Sequence, residues 1–316
     1  MRKTLSILLA VVVICSLSVA AFAAPIFINI GTGSVGGTYY PVGSAMSTIW
    51  NREIPNMRSA VQSTGGTRAN IDLLSRGEVE VGFTDGLYFP AFHGLHMFEG
   101  SPQSFLRAAV PLYPEPIHFV VAEDSDITSI RDIVGRRVVI GAVGSGTEVT
   151  ARAVLEMLGI CPDNDITPQN LSMSETAGAF ADRVIDAAFM MGALGSAAVV
   201  EVTTMGTARI IPIEDDIIAD LNEVLPYYDA FTIPGGTYPG HPYGIRTSAT
   251  WNILSVHYSL SDDLVYDMTR VLFENAEELV NVAAVMSYMQ KDAIDVIQIP
   301  LHPGAERFFR SVGALE

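Results

Sequence analysis

The sequence predicts an α/β protein of two lobes with a ligand cleft between them. Strand-like apolar runs alternate with helix-like ones in βαβαβ order over residues 25–85, the signature of a parallel sheet with helices on its faces. A second such unit starts at "PIHFVVAE", residues 116–123. Gly/Ser/Thr clusters follow strands and open helices in both halves, and ligands of open α/β sheets bind at that rim.

In the first unit, "PIFINI" (25–30) reads as a strand, followed by the loop "GTGSVGGTYYPVG" and a helix from about Val42 to Asn51. "MRSAVQ" (57–62) is a second strand, "STGGTRAN" opens a helix that runs through Leu74, and "VEVGFTD" (79–85) is a third strand. In the second unit, the strand at 116–123 is followed by a short amphipathic helix, "ITSIRDIVG". "RRVVIGAVGSGTE" (136–148) is a strand that ends in a Gly/Ser loop, and residues 148–160 form a helix closed by Gly159. "SETAGAFADRVIDAAFMMG" reads as a helix and then a buried strand, and "ARIIPI" (208–213) as another strand. Residues 227–244, rich in Gly, Pro and Tyr, read as a long loop, a kind usually kept for function. A strand at 249–260, a helix at 262–283 with Asp262 and Asp263 in its first turn, and a C-terminal helix complete the chain.

The chain opens with a basic pair, Arg2 and Lys3, then the apolar run Leu5 to Leu17 and the small-x-small triplet Ala21-Phe22-Ala23. This reads as a cleaved secretory signal peptide over residues 1–23, so the mature chain is expected in the periplasm. The leader carries two basic residues and no acid, which takes the formal charge from −17 to −19 in the mature chain. That balance argues against nucleic acid as a partner. Cys161 is the one cysteine after the leader, so no intramolecular disulfide can form.

Gly31-x-Gly33-x-x-Gly36 matches a dinucleotide-binding fingerprint, which also needs an acid at the tip of the second strand. That strand ends Val61-Gln62-Ser63, and Glu53 precedes it, so no cofactor is expected. The remaining readings are a tight strand-to-helix turn or an anion cradle of backbone N–H groups, here around Gly37, Thr38 and Tyr39. The second loop offers the hydroxyls of Ser63 and Thr64, close backbone approach at Gly65, and the Asn70 amide, although helix capping alone explains a Ser or Thr. Ser145, Gly146 and Thr147 are placed to close on a ligand from the other lobe. Asp85, at a strand tip, can accept from an ammonium group or serve as a loop acid. Tyr39 and Tyr238 can line the cleft or pack in the core. His93-x-x-His96 lacks the cysteine or glutamate partners of a zinc site, so no metal is expected. Ser145 lacks the Gly-x-Ser-x-Gly frame of a hydrolase elbow, since positions 143 and 147 are Val and Thr.

Taken together, "GTGSVGGTYYPVG", "STGGTRANIDLLSRGEVEVGF", "LYPEPIHFVV", "GAVGSGTE", "IPGGTYPG" and "PLHPGAERFFR" resemble the TAXI-type solute receptors of TRAP transporters. The resemblance spans essentially the whole mature chain. It implies a type II periplasmic binding protein fold, with lobe I at 24–115, lobe II at 116–257 and a return to lobe I at 258–316. It also implies a monomeric, non-enzymatic receptor that delivers a small organic anion, a glutamate-like amino acid or a dicarboxylate, to a TRAP-type membrane permease. The ligand-facing segments would be 36–40, 63–70, the Asp85 tip, 145–148 and 235–240. Arg68 departs from the family pattern and either reaches the ligand or points to solvent. A receptor that reports to a membrane signalling protein, or an enzyme on the same fold, are the alternatives.

Overall fold

The structure, a computed structural model, describes residues 24–315; the expected signal peptide lies outside them. Ten strands lie in the order β2-β1-β3-β10-β4-β7-β5-β6, with β8 beside β4 and β9 beside β10. In lobe I, β1 (Ile26–Gly31) pairs in parallel with both β2 (Met57–Gln62) and β3 (Val81–Thr84). In lobe II, β5 (Arg137–Val139) pairs in parallel with β6 (Thr167–Gln169) and β7 (Ala187–Met191), and β8 is Ala208–Ile211.

Two long strands join the lobes. β4 (Leu106–Ala122) pairs with β10 (Ile245–His257) through Pro116, then with β7 and β8 from Ile117 onward. β10 pairs with β9 (Asp229–Ile233) over Ile245–Ala249 and with β3 over Ile253–Val256. The expected lobe limits at 116 and 257 thus fall inside β4 and at the last residue of β10. A strand that runs through both sheets carries each passage as hydrogen-bonded backbone instead of as a free linker.

Helices cover the faces. In α1 (Tyr39–Glu53) Val42, Met46, Ile49 and Trp50 recur on one face and are buried. The Trp50 indole N–H donates to the carbonyl of Met268, which ties α1 to α8 (Asp262–Glu274) at 3.0 Å. α2 (Thr67–Ser75) and α3 (Tyr88–His93) flank β3, and α10 (Pro303–Ser311) packs on α8 through Phe308 and Phe309. Lobe II carries α4 (Gly146–Met157), α5 (Met173–Ala181), α6 (Ala197–Thr204) and α7 (Asp215–Val224) around its own apolar cores.

The structure departs from the sequence reading at several places; the strand expected at 249–260 runs from Ile245 to His257, and the helix expected at "ITSIRDIVG" is a single 3-10 turn, Ile130–Ile133. The segment 227–244 contains β9, because Asp229–Ile233 finds an open edge on β10. The helix expected over 262–283 is two helices, α8 and α9 (Ala276–Val282), broken at Asn275, whose side chain donates to Val271 O at 2.8 Å and competes with the helix backbone. β4 begins ten residues earlier than the expected strand, at Leu106. No helix among the described residues is long and apolar enough to cross a membrane.

Candidate functional site

A cavity of about 120 Å³ lies between the lobes. One water needs roughly 10–15 Å³ of cavity on the same measure, so the space takes a small solute. Four helices start at its wall. Thr38 and Tyr39 open α1, Gly66 and Thr67 open α2, Ser145 and Gly146 open α4, and Ser172 and Met173 open α5. First-turn N–H groups and aligned peptide dipoles make such ends partly positive, which favours a bound negative group; at α4 and α5 the chain's own Glu148 and Glu175 take up part of that charge. Two of these ends are on lobe I and two on lobe II.

Local chemistry explains why the chain turns this way. Ser145 Oγ accepts from the backbone N–H of Glu148 at 3.1 Å, and Glu148 returns a carboxylate oxygen to Gly144 N–H at 2.9 Å. At α5 the Glu175 carboxylate accepts from both the N–H and the hydroxyl of Ser172, at 2.8 and 2.6 Å. The glycines of the first loop serve close packing. A Cβ at Gly31 would lie 2.7 Å from Asn70 Oδ1, and one at Gly36 would lie 2.8 Å from the Ser174 Cβ of the opposite lobe. The fingerprint spacing in this chain therefore reflects scaffold packing and lobe contact.

The lobes are closed on one another. Ala69 N–H donates across the cleft to Gly144 O at 3.2 Å, and Asp85 lies against Gly146 at the start of α4.

Of the expected residues, Gly37, Thr38, Tyr39, Thr64, Gly65, Asp85, Ser145, Gly146 and Thr147 come together on the cavity wall. Three expected positions are elsewhere. Ser63 Oγ donates to Gly33 O at 2.9 Å and holds the first loop. The Asn70 amide, fully buried, donates to Thr32 O and Phe83 O at 2.7 and 2.8 Å and braces the strand ends. Tyr238 packs in lobe II, where its hydroxyl meets His118 Nε2 at 2.7 Å and accepts from Gly195 N–H at 3.1 Å. Burial pushes the His118 imidazole down to about 4, so it faces that hydroxyl as the neutral ring. Arg68 is also off the wall. It pairs with Asp72 at 3.2 Å and lies over the Phe98 ring, 4.8 Å from its centre.

The structure adds residues that the sequence reading missed. Tyr113 and Glu115 of β4 reach the floor of the cavity, and Ser172, Thr176, Phe189 and Met191 complete lobe II's side. Glu115 Oε2 lies 3.2 Å from the Tyr39 hydroxyl, which also donates to Asn252 Oδ1. Asp85 Oδ1 accepts from Leu87 N–H at 3.0 Å. Burial raises both carboxyl groups, Asp85 to about 6 and Glu115 to about 8, and for Glu115 the neighbouring Asp85 charge adds to it. The Tyr113 hydroxyl is buried with no hydrogen-bond partner among the described residues.

Two lobes joined by two strands, with a cavity walled by helix N-termini from both, define the fold class of solute-binding proteins. Over residues 30–313 the chain matches the NMT1-like family, and it belongs to that family. Solved structures share the fold. A protein of Bordetella bronchiseptica RB50 is 14% identical, with 92% of this chain and 89% of that one covered and a TM-score of 0.53. A Xanthomonas citri protein bound to chloride ion is 12% identical, over 91% and 96% of the two chains, with a TM-score of 0.51. An ancestral arginine-binding protein bound to arginine is 14% identical, over 82% and 97%, with a TM-score of 0.50.

Proposed function

We propose that the protein is an exported receptor that captures one small solute between its lobes and hands it to a membrane transporter. One observation carries the reading: four helix N-termini from two lobes converge on one cavity floored by buried polar groups. Such an arrangement orients a solute that carries a carboxylate, because the partial charges at the helix ends are fixed before the solute arrives. Belonging to the NMT1-like family and sharing the fold of an arginine-bound relative both support solute binding. The motif resemblance set out above supports a TRAP-type permease as the partner and a glutamate-like amino acid as the solute. The basic, apolar and small-residue pattern of residues 1–23 supports export to the periplasm.

Thermal denaturation of the mature protein against a panel of amino acids and organic acids tests this. A solute present ~100-fold above its dissociation constant stabilises the fold by about 2.7 kcal/mol. Protein shown free of carried-over ligand that responds to no member of the panel would count against the reading.

A further inference from the structure

The floor of the cavity has a chemistry opposite to that of its rim. Asp85 and Glu115 both line it, and no Lys, Arg or His is among the lining residues. The groups that face this pair are the Tyr39 hydroxyl from α1, Thr67 from α2, Tyr88 from α3, Tyr113 from β4, Asn252 from β10, and Tyr227 and Tyr228 ahead of β9. None is a cation.

The hydrogen-bond geometry accommodates a proton on Glu115. Tyr39 has one hydroxyl proton and meets two acceptor oxygens, Asn252 Oδ1 and Glu115 Oε2. The Asn252 amide is oriented by donation from its Nδ2 to Tyr113 O at 3.4 Å, which turns its oxygen toward Tyr39. With the Tyr39 proton given to Asn252, the contact at Glu115 is satisfied when Glu115 is the acid and donates to the Tyr39 oxygen. Burial, the largest cause, and the nearby Asp85 favour the acid and outweigh the Asn252 and Tyr39 contacts, which favour the carboxylate. Beside the pair, the fully buried Tyr113 hydroxyl has no partner among the described residues. Two carboxyl groups and a free hydroxyl oxygen, with no cation among the lining residues, are the complement of a positively charged donor with several N–H bonds.

We propose that Asp85, Glu115 and Tyr113 form a recognition site for an ammonium group, and that seating an ammonium there expels the Glu115 proton to solvent. No bond of the solute changes: the carboxyl O–H of Glu115 breaks, its proton goes to the buffer, and the carboxylate pairs with the ammonium. The inference rests on the receptor reading and narrows it. The solute is bipolar, its carboxylate at the helix N-termini and its amine at the floor, and dicarboxylates without an amine are rejected.

The test is calorimetric titration of the mature protein with amino acids and their deaminated counterparts, L-glutamate against glutarate and L-leucine against isocaproate among them. Each is run near pH 6, 7 and 8.5 in buffers of differing ionisation heat. An amino acid is expected to bind and its counterpart to fail. Binding at pH 7 should release close to one proton, from Glu115, and more at pH 6, where Asp85 is also partly protonated, so affinity should rise by at least about tenfold per pH unit below the Glu115 pKa. The isosteric Glu115→Gln variant should abolish the proton release and flatten the slope, with folding checked by circular dichroism. Equal binding of a deaminated counterpart, or affinity that rises as pH falls, overturns the ammonium site and leaves the receptor standing. No binding by either series at any pH overturns both.

Discussion

Gly146 is where the account is most exposed to a single substitution. It opens α4 and faces Asp85 across the cleft, and an added Cβ would lie 1.7 Å from Asp85 Oδ2 and 2.7 Å from its Cγ. Carbon atoms in good contact are roughly 3.5–4.0 Å apart, so the overlap requires movement on the order of an ångström. Asp85 cannot supply it. Its side chain is short, it is 4% exposed, and Leu87 N–H holds its carboxyl at 3.0 Å. The lobes must part instead, which also stretches the 3.2 Å bond from Ala69 N–H to Gly144 O. Overpacking costs about 1–3 kcal/mol and a lost hydrogen bond about 1, for a total of roughly 2–4 kcal/mol against the closed state. Gly146→Ala should therefore weaken solute binding by roughly 30- to 700-fold in Kd. Its ligand-free melting temperature should change little, since each lobe keeps its own core. Calorimetric titration of the solute found in the panel reads the loss. Gly178→Ala on α5, where an added Cβ meets nothing within 4 Å, is the control and should bind as wild type. Full affinity in Gly146→Ala, or the same loss in Gly178→Ala, would refute the argument that this closed arrangement is the solute-bound one.

Three further outcomes follow from the geometry. Arg68→Ala should change affinity less than about twofold, because its guanidinium is engaged with Asp72 and Phe98, away from the cavity wall, and a half-buried surface pair of this kind is worth roughly 0–1 kcal/mol; titration showing a large loss would place Arg68 on the ligand. Thr64→Val should lower stability by about 1–3 kcal/mol in urea denaturation, because its hydroxyl lies 2.8 Å from Thr32 O and 2.7 Å from Asn70 Oδ1 and accepts from Gly66 N–H at 3.0 Å. Glu115 binds its proton more tightly folded than unfolded, so its stabilising contribution is full below the unfolded carboxyl value of about 4.3 and is lost as pH rises through the folded value of about 8. Ligand-free Glu115→Gln should therefore melt above wild type near pH 8.5, with the gap closing toward pH 4.5; a gap that widens on acidification would reverse the sign of the argument.

The rim of the site was legible in the sequence and its floor was not. Gly, Ser and Thr at 36–38, 64–65 and 145–147 advertise strand-to-helix turns, and turns of that kind expose N–H groups whatever the tertiary context. Which hydroxyl faces the cavity depends on packing. Ser63 and Thr64 are chemically alike and adjacent, yet the Ser63 hydroxyl ties down Gly33 and the Thr64 hydroxyl Thr32 and Asn70, so both serve the scaffold although Thr64 lines the wall. Asn70 and Tyr238 were drawn inward by backbone donors and acceptors that a sequence does not display. Glu115 and Tyr113 sit in a strand buried on both faces, where no alternation marks the side turned to the ligand. The start of α5 did leave a signal, since Ser172-x-x-Glu175 is a capping box and marks a helix N-terminus as clearly as the glycine loops do. The two-lobe architecture was readable because both βαβ units repeat the pattern. The break at Asn275 was not, because apolar spacing continues across it.

The central claim is that one small solute is held between the lobes and leaves unchanged. Its most direct test is to isolate the protein from its native compartment, denature it, and identify by mass spectrometry what is released, then titrate that compound back onto refolded protein. One amine-bearing carboxylate per chain is expected, recovered intact after prolonged incubation and bound far more weakly by Gly146→Ala. A compound returned chemically altered, or one that binds Gly146→Ala as tightly as wild type, would contradict it.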